Sequence, residues 1–107
     1  MNAQLLLNIL GSEKKARKLA DLLISDLNLY GSLTRQQLVD MGWKRRYIRL
    51  ARRYSNGDVI FTQRGYHLTR IASQDDINQC INTFESQAKV MMEEANCVRK
   101  KAHGRIS

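Results

Sequence analysis

From Ile77 to Ala102 the apolar residues fall at Ile77, Ile81, Phe84, Ala88, Met91, Ala95, Val98 and Ala102, with spacings that alternate four and three without a break. A strand would repeat every two residues, so this run predicts one continuous helix with an apolar seam along it. Ser73 is placed to cap it, and Asp75 and Asp76 in the first turn suit the positive end of its dipole. With Ile77 at a heptad d position, Ile81, Ala88, Ala95 and Ala102 take a positions. Glu94 at g and Arg99 at the following e would then attract each other across a parallel pair. A helix of ~30 residues is ~45 Å long and needs a partner for such a seam. The expected partner is a second copy: Ile77, Ile81, Phe84, Ala88, Met91, Ala95 and Val98 would form a homodimer interface over residues 73–102. The alternative is packing within the chain, on Leu5, Leu6, Ile9 and Leu10 of an apolar N-terminal segment (residues 1–11) or on the first long helix. Residues 103–107 read as a solvated basic tail.

The stretch 12–70 reads as one small domain. Ser12 is placed to cap a helix over Glu13–Leu29, where Ala16, Leu19, Ala20, Leu23 and Leu27 recur at helical spacing. Gly31 and Ser32 break it, and a short extended piece follows at Ser32-Leu33. Thr34 and Gln37 stand at capping-box spacing, and Leu33 and Leu38 fit a hydrophobic staple across the same cap. That helix should stop at Gly42, a residue suited to the left-handed conformation after a helix. The next helix is expected from about Trp43 to the turn at Ser55-Asn56-Gly57-Asp58. Val59–Thr62 and Tyr66–Thr69 read as paired strands joined by a three-residue loop, Gln63-Arg64-Gly65.

Charge is concentrated in the same region. The 107 residues carry 18 Lys and Arg against 10 Asp and Glu, for a net +8. Residues 34–70 hold nine bases and only Asp40 and Asp58, so they account for +7 of it. Lys44 to Arg53 holds six bases in ten residues and no acid. Such a block repels itself unless it is solvated or faces an anion. On a helical wheel Trp43, Tyr47, Leu50, Ala51 and Tyr54 cluster on one side with Ile48 at the margin. Arg45, Arg49 and Arg52 point the opposite way, flanked by Arg46 and Arg53.

Helix, extended piece, helix, tight turn, basic helix and hairpin, in that order, resemble the winged helix-turn-helix superfamily of DNA-binding domains over about Glu13 to Arg70. The local motif is Leu38-Val39-Asp40-Met41-Gly42-Trp43, followed by apolar Ile48 and Ala51. Leu38 lies four residues before the turn glycine, where many such motifs carry Ala or Gly; winged versions are looser there. The resemblance implies a mainly α fold with a small β-hairpin, in which Lys44–Arg53 enters the major groove and the hairpin is a wing. Arg45 and Arg49 are then expected on base edges, as bidentate partners of guanine O6 and N7. Lys44, Arg46, Arg52 and Arg53 would grip the DNA backbone. So would Arg64 from the wing, and Thr34, Arg35 and Gln36 at the start of the preceding helix. The function implied is a dimeric transcriptional regulator reading a two-fold site in duplex DNA, of a size that suits a phage, prophage or plasmid regulator. The alternatives are an adaptor or inhibitor that binds an acidic protein, and an architectural or RNA-binding factor.

Other classes find little in the sequence. No apolar run approaches the ~20 residues of a bilayer span, and Leu5–Leu10 lacks the flanks of a secretory signal. Cys80 and Cys97 on one helix lie ~25 Å apart and cannot bridge within it, which suits a reducing cytoplasm. Phosphate-cradling glycine loops, paired-histidine metal motifs and nucleophile elbows are absent. No enzyme activity, cofactor, metal or small-molecule substrate is therefore expected. His67, His103 and the Met91-Met92 pair read as structural or solvated residues.

Overall fold

The computed structural model describes residues 12–106. These form helices α1 (Ser12–Tyr30), α2 (Arg35–Asp40) and α3 (Arg45–Tyr54), strands β1 (Val59–Thr62) and β2 (Gly65–Leu68), a 3-10 turn (Thr69–Ile71) and a long helix α4 (Gln74–Ile106). The chain is thus mainly helical with one small antiparallel hairpin. The apolar segment expected at residues 1–11, and its packing, lie outside the described residues.

In α1 the five residues at helical spacing, Ala16, Leu19, Ala20, Leu23 and Leu27, are all buried. Each of its fully buried leucines stabilises the fold by about 1.5–3 kcal/mol relative to an exposed one. The helix starts at Ser12 itself rather than after Ser12 as a cap. It packs most extensively on α3.

The start of α2 carries the expected capping box. Thr34 Oγ1 accepts the Gln37 N–H at 3.1 Å, and Gln37 Oε1 accepts the Thr34 N–H at 2.8 Å. Leu33 and Leu38, the staple pair, both join the core. At the other end the Gly42 N–H reaches Val39 O and the Trp43 N–H reaches Leu38 O. This is the Schellman closure, and Gly42 adopts the positive φ (106°) it requires. That closure holds Trp43 outside the next helix. α3 therefore begins at Arg45, with Lys44 as its N-cap residue, rather than near Trp43. Trp43 instead packs into the core and donates its indole N–H to Asp26 of α1 at 2.8 Å.

The hairpin pairs Val59 with Leu68, Ile60 with His67, Phe61 with Tyr66 and Thr62 with Gly65. Its turn is consequently two residues, Gln63-Arg64, and not the three expected from sequence. Gly65 has become the first residue of β2, and Thr69 leaves the strand for the 3-10 turn. The extended piece is paired as well: Leu33 N–H donates to Tyr66 O at 3.1 Å and Tyr66 N–H to Leu33 O at 2.8 Å. This bridge brings the chain so close that a Cβ on Gly65 would stand 2.5 Å from Leu33 O. Gly65 also has φ 125°. Steric room and backbone conformation both demand glycine there.

Ser73 caps α4 as expected, its Oγ accepting the Asp76 N–H. The helix has 33 residues, about 50 Å, and continues through His103 and Gly104 to Ile106, so the described part of the basic tail is helical. Its first turns lie on β1. Cys80 is buried there, and Phe84 meets Phe61 edge-on with centroids 5.3 Å apart. Asp76, Cys80 and Phe84 form this packing face, which is rotated by about 50° from the centre of the heptad seam at 3.6 residues per turn. Within the described residues the seam is largely open: Ile81 is 47% exposed, Phe84 44%, Met91 66% and Val98 66%. Among the described residues, the main cover for α4 is the hairpin.

Candidate nucleic-acid interface

The basic helix α3 is seated by Tyr47, Ile48 and Ala51, all buried, while Leu50 and Tyr54 are half-buried. Ile48, placed at the margin of the apolar face on the sequence wheel, is fully buried, and Ala51 lies between it and Tyr47 at the centre of the face. The face is turned accordingly, and the turn decides which guanidiniums reach solvent. Arg45, Arg46, Arg49 and Arg53 are exposed.

Arg52 is the exception. It follows Ile48 by one turn and is drawn in beside it. Its guanidinium carbon lies 4.5 Å from the Phe61 centroid and 5.0 Å from that of Phe84. The expectation that Arg52 points outward to phosphates is corrected by this contact with the hairpin and α4. Burial lowers its pKa from the ordinary arginine value, with a further small push from Arg49, against opposing effects of Tyr66 and Cys80. No ion pair to a carboxylate holds Arg52 among the described residues.

Tyr47 organises the start of α3. Arg46 donates to its hydroxyl at 3.0 Å and lies 4.9 Å from its ring centroid, and Lys44 Nζ approaches the same ring at 5.6 Å. Such cation–π contacts contribute about 0.5–1 kcal/mol at exposed sites. They orient the two cations without neutralising them. The start of α2 is more occupied than the sequence suggested. Thr34 Oγ1 serves the capping box, and Gln36 donates its side-chain amide to Asp40 at 2.8 Å. Arg35 is exposed and lines a groove together with Arg49 and Arg52.

Arg64 sits in the hairpin turn as expected, but one of its amino groups is hydrogen-bonded to Asp76 of α4. The Arg64 side chain is still 70% exposed, whereas that of Asp76 is 11% exposed. The guanidinium holds the Asp76 carboxyl below the usual carboxylate range, helped by the Ser73 hydroxyl and opposed by burial. Next to this pair, His67 is buried with both ring nitrogens engaged: Nδ1 with Ser32 Oγ at 2.7 Å and Nε2 with Thr62 Oγ1 at 2.8 Å. Burial lowers the pKa of His67, Asp76 raises it and Arg64 lowers it, with burial prevailing. The ring is therefore a neutral strut between the extended piece at Ser32 and β1.

Sequence reasoning missed four participants: Phe61 and Phe84 as the clamp on Arg52, Asp76 as the partner of Arg64, and Asp26 as the acceptor for Trp43. None is adjacent in sequence to the residue it holds. Among the described residues no cluster of three or more His, Cys, Asp or Glu could hold a metal ion. None of the described helices is long and apolar enough to cross a membrane. The chain matches no protein-family model, no curated protein and no solved structure.

Proposed function

We propose that this chain is a winged helix-turn-helix protein that binds duplex DNA, acts in transcriptional control and carries out no catalysis. The observation behind this reading is the build of α3. Its underside of Tyr47, Ile48 and Ala51 is fully packed, while Arg45, Arg46, Arg49 and Arg53 are exposed on a rigid element. A rod of this kind, 10 residues long, suits the major groove, and the hairpin that follows it in the chain would serve as the wing. Arg45 and Arg49 read base edges in this proposal. Lys44, Arg46, Arg53 and Arg35 position the backbone, with Thr34 and Gln36 beside them, and Arg64 reaches it with the part of its fork that Asp76 leaves over. Arg52 is removed from the interface.

The protein acts as a homodimer in this reading, joined through the open part of the α4 seam from Ala88 to Val98. Ile77, Ile81 and Phe84 lie at its start, where Phe84 also serves the hairpin. Weak alanine positions at Ala88 and Ala95 make the seam thin but allow close approach.

Fluorescence anisotropy with a pool of random duplexes, followed by selection of the bound fraction at two salt concentrations, tests the proposal. Arg45→Ala or Arg49→Ala should weaken the selected site by about 1–3 kcal/mol while nearly preserving nonspecific binding. Equal losses on selected and random duplexes would reject base reading. Replacing both Met91 and Val98 by Glu should halve the mass seen by light scattering. An unchanged mass would reject the coiled-coil dimer.

A further inference from the structure

Between α3, the hairpin and the middle of α4 runs a groove of about 760 Å³. That volume falls within the range of small-molecule sites. One side carries Arg35, Arg49 and Arg52, and the α4 side carries the apolar Val90 and Met91 with the uncharged Ser86 and Gln87. The rings of Phe61 and Tyr66 also line it, and among the described residues no carboxylate does. A neighbouring recess of about 390 Å³ shares Arg35, Phe61 and Tyr66 and adds only uncharged residues.

Two features of these walls point to the same ligand chemistry. Three guanidiniums without an acid concentrate positive potential in a partly desolvated cleft. Arg52 is the most costly of them, because it is half-buried and held by ring faces alone. An anion entering the groove would supply the charge partner that Arg52 lacks. The α4 wall asks for something different: Val90 and Met91, 54% and 66% exposed, gain only from an apolar surface laid over them. A nucleic-acid strand would satisfy the guanidiniums and leave this wall wet.

We propose that the groove binds a small organic anion, with a single carboxylate, phosphate or sulfonate head on Arg49 and Arg52 and an aromatic or aliphatic body against Phe61, Val90 and Met91. The site goes beyond the DNA-binding reading and does not depend on it. If both hold, the ligand and a duplex share Arg35 and Arg49, so an occupied groove withdraws those two residues from the DNA.

The test is a fluorescence titration of the full chain without DNA. The probe is anilinonaphthalene sulfonate, compared with phenylnaphthylamine, which has the same rings and no sulfonate. The wild-type chain should bind the sulfonate saturably, one per chain, and the uncharged analogue about tenfold more weakly or worse. Arg49→Gln should lower sulfonate affinity by about tenfold and leave the analogue unchanged. Val90→Asp should weaken both, and Met92→Asp, on the same helix outside the groove, neither. Arg49 and Val90 are exposed, and Arg35→Gln gives a second charge variant if Arg49→Gln folds poorly. Competition by decanoate against naphthoate then tells whether an aliphatic or an aromatic body is preferred. Equal affinity for the two probes, indifference to both arginine variants, or a loss with Met92→Asp equal to that with Val90→Asp would each overturn the proposal.

Discussion

Replacing Gly65 by alanine tests how tightly the hairpin is fastened to the start of α2. The added Cβ would lie 2.5 Å from Leu33 O, 2.9 Å from Leu33 C and 2.9 Å from Thr34 Cα, all backbone atoms that no rotamer change can move. Two costs add. Holding a side-chain-bearing residue at φ 125° costs about 1–3 kcal/mol. Relieving the clash means parting the extended piece from β2, which loosens two hydrogen bonds between Leu33 and Tyr66 at about 1 kcal/mol each. The expected loss is about 3–5 kcal/mol, a large share of the 5–15 kcal/mol typical of a whole domain. Gly57→Ala is the control. Gly57 also has a positive φ (90°), but an added Cβ there meets nothing within 4 Å. It should lose only the conformational part, about 1–2 kcal/mol. Urea denaturation followed by the fluorescence of Trp43, the sole tryptophan and a core residue, measures both. Gly65→Ala should fall at least about 2 kcal/mol below Gly57→Ala, the worth of the two loosened hydrogen bonds. Equal losses would show that the bridge yields without cost and that the hairpin is not fastened in this way.

Three further outcomes rest on the same frame. The Asp76 carboxyl has its pKa depressed by Arg64, so its contribution is complete above the ordinary carboxylate value and is lost as pH falls through the lower folded value. Acid unfolding should therefore be steep below about pH 4, and Asp76→Asn should flatten that limb; an unchanged acid profile would discount the pair. His67 acts in the same direction in a higher window: its folded pKa is lowered by burial, so stability declines as pH drops below about 6.5, and His67→Gln should remove that slope. Thr34→Ala should cost about 1 kcal/mol through the lost cap, with Thr34→Ser restoring most of it; no loss in thermal melts would mean the capping box adds nothing to stability.

The elements that were legible from sequence are those fixed by short-range chemistry. The period of α1, the capping box at Thr34, the glycine stop at Gly42 and the two strand segments each need only a few neighbouring residues. Boundaries shifted where a tertiary bond competed. Trp43 fits the apolar wheel of α3, but its indole N–H is taken by Asp26, 17 residues away, and the Schellman closure keeps it out of the helix. The hairpin turn shortened because Leu33 pairs with Tyr66 and draws Gly65 into the ladder. Neither bond leaves a trace in local composition.

The same distinction explains the basic helix. Sequence can say that a helix carries six bases; it cannot say how far the helix is rolled. Once Ile48 joins the buried face, Arg52, one turn later on the same side, lies against whatever covers that side, and the cover is Phe61 from the hairpin with Phe84 from α4. Arg64 is tied to α4 in the same region through Asp76. Two of the arginines read as phosphate contacts thus join α4 to the hairpin and α3. Charge outside the core is therefore divided: part holds the long helix in place, and the part left exposed, Arg45, Arg46, Arg49 and Arg53, is what a polyanion can meet. Movement of α4 away from the hairpin would remove the Phe84 ring and leave Arg52 on Phe61, so the hairpin as well as the long helix keeps this guanidinium from the exposed side.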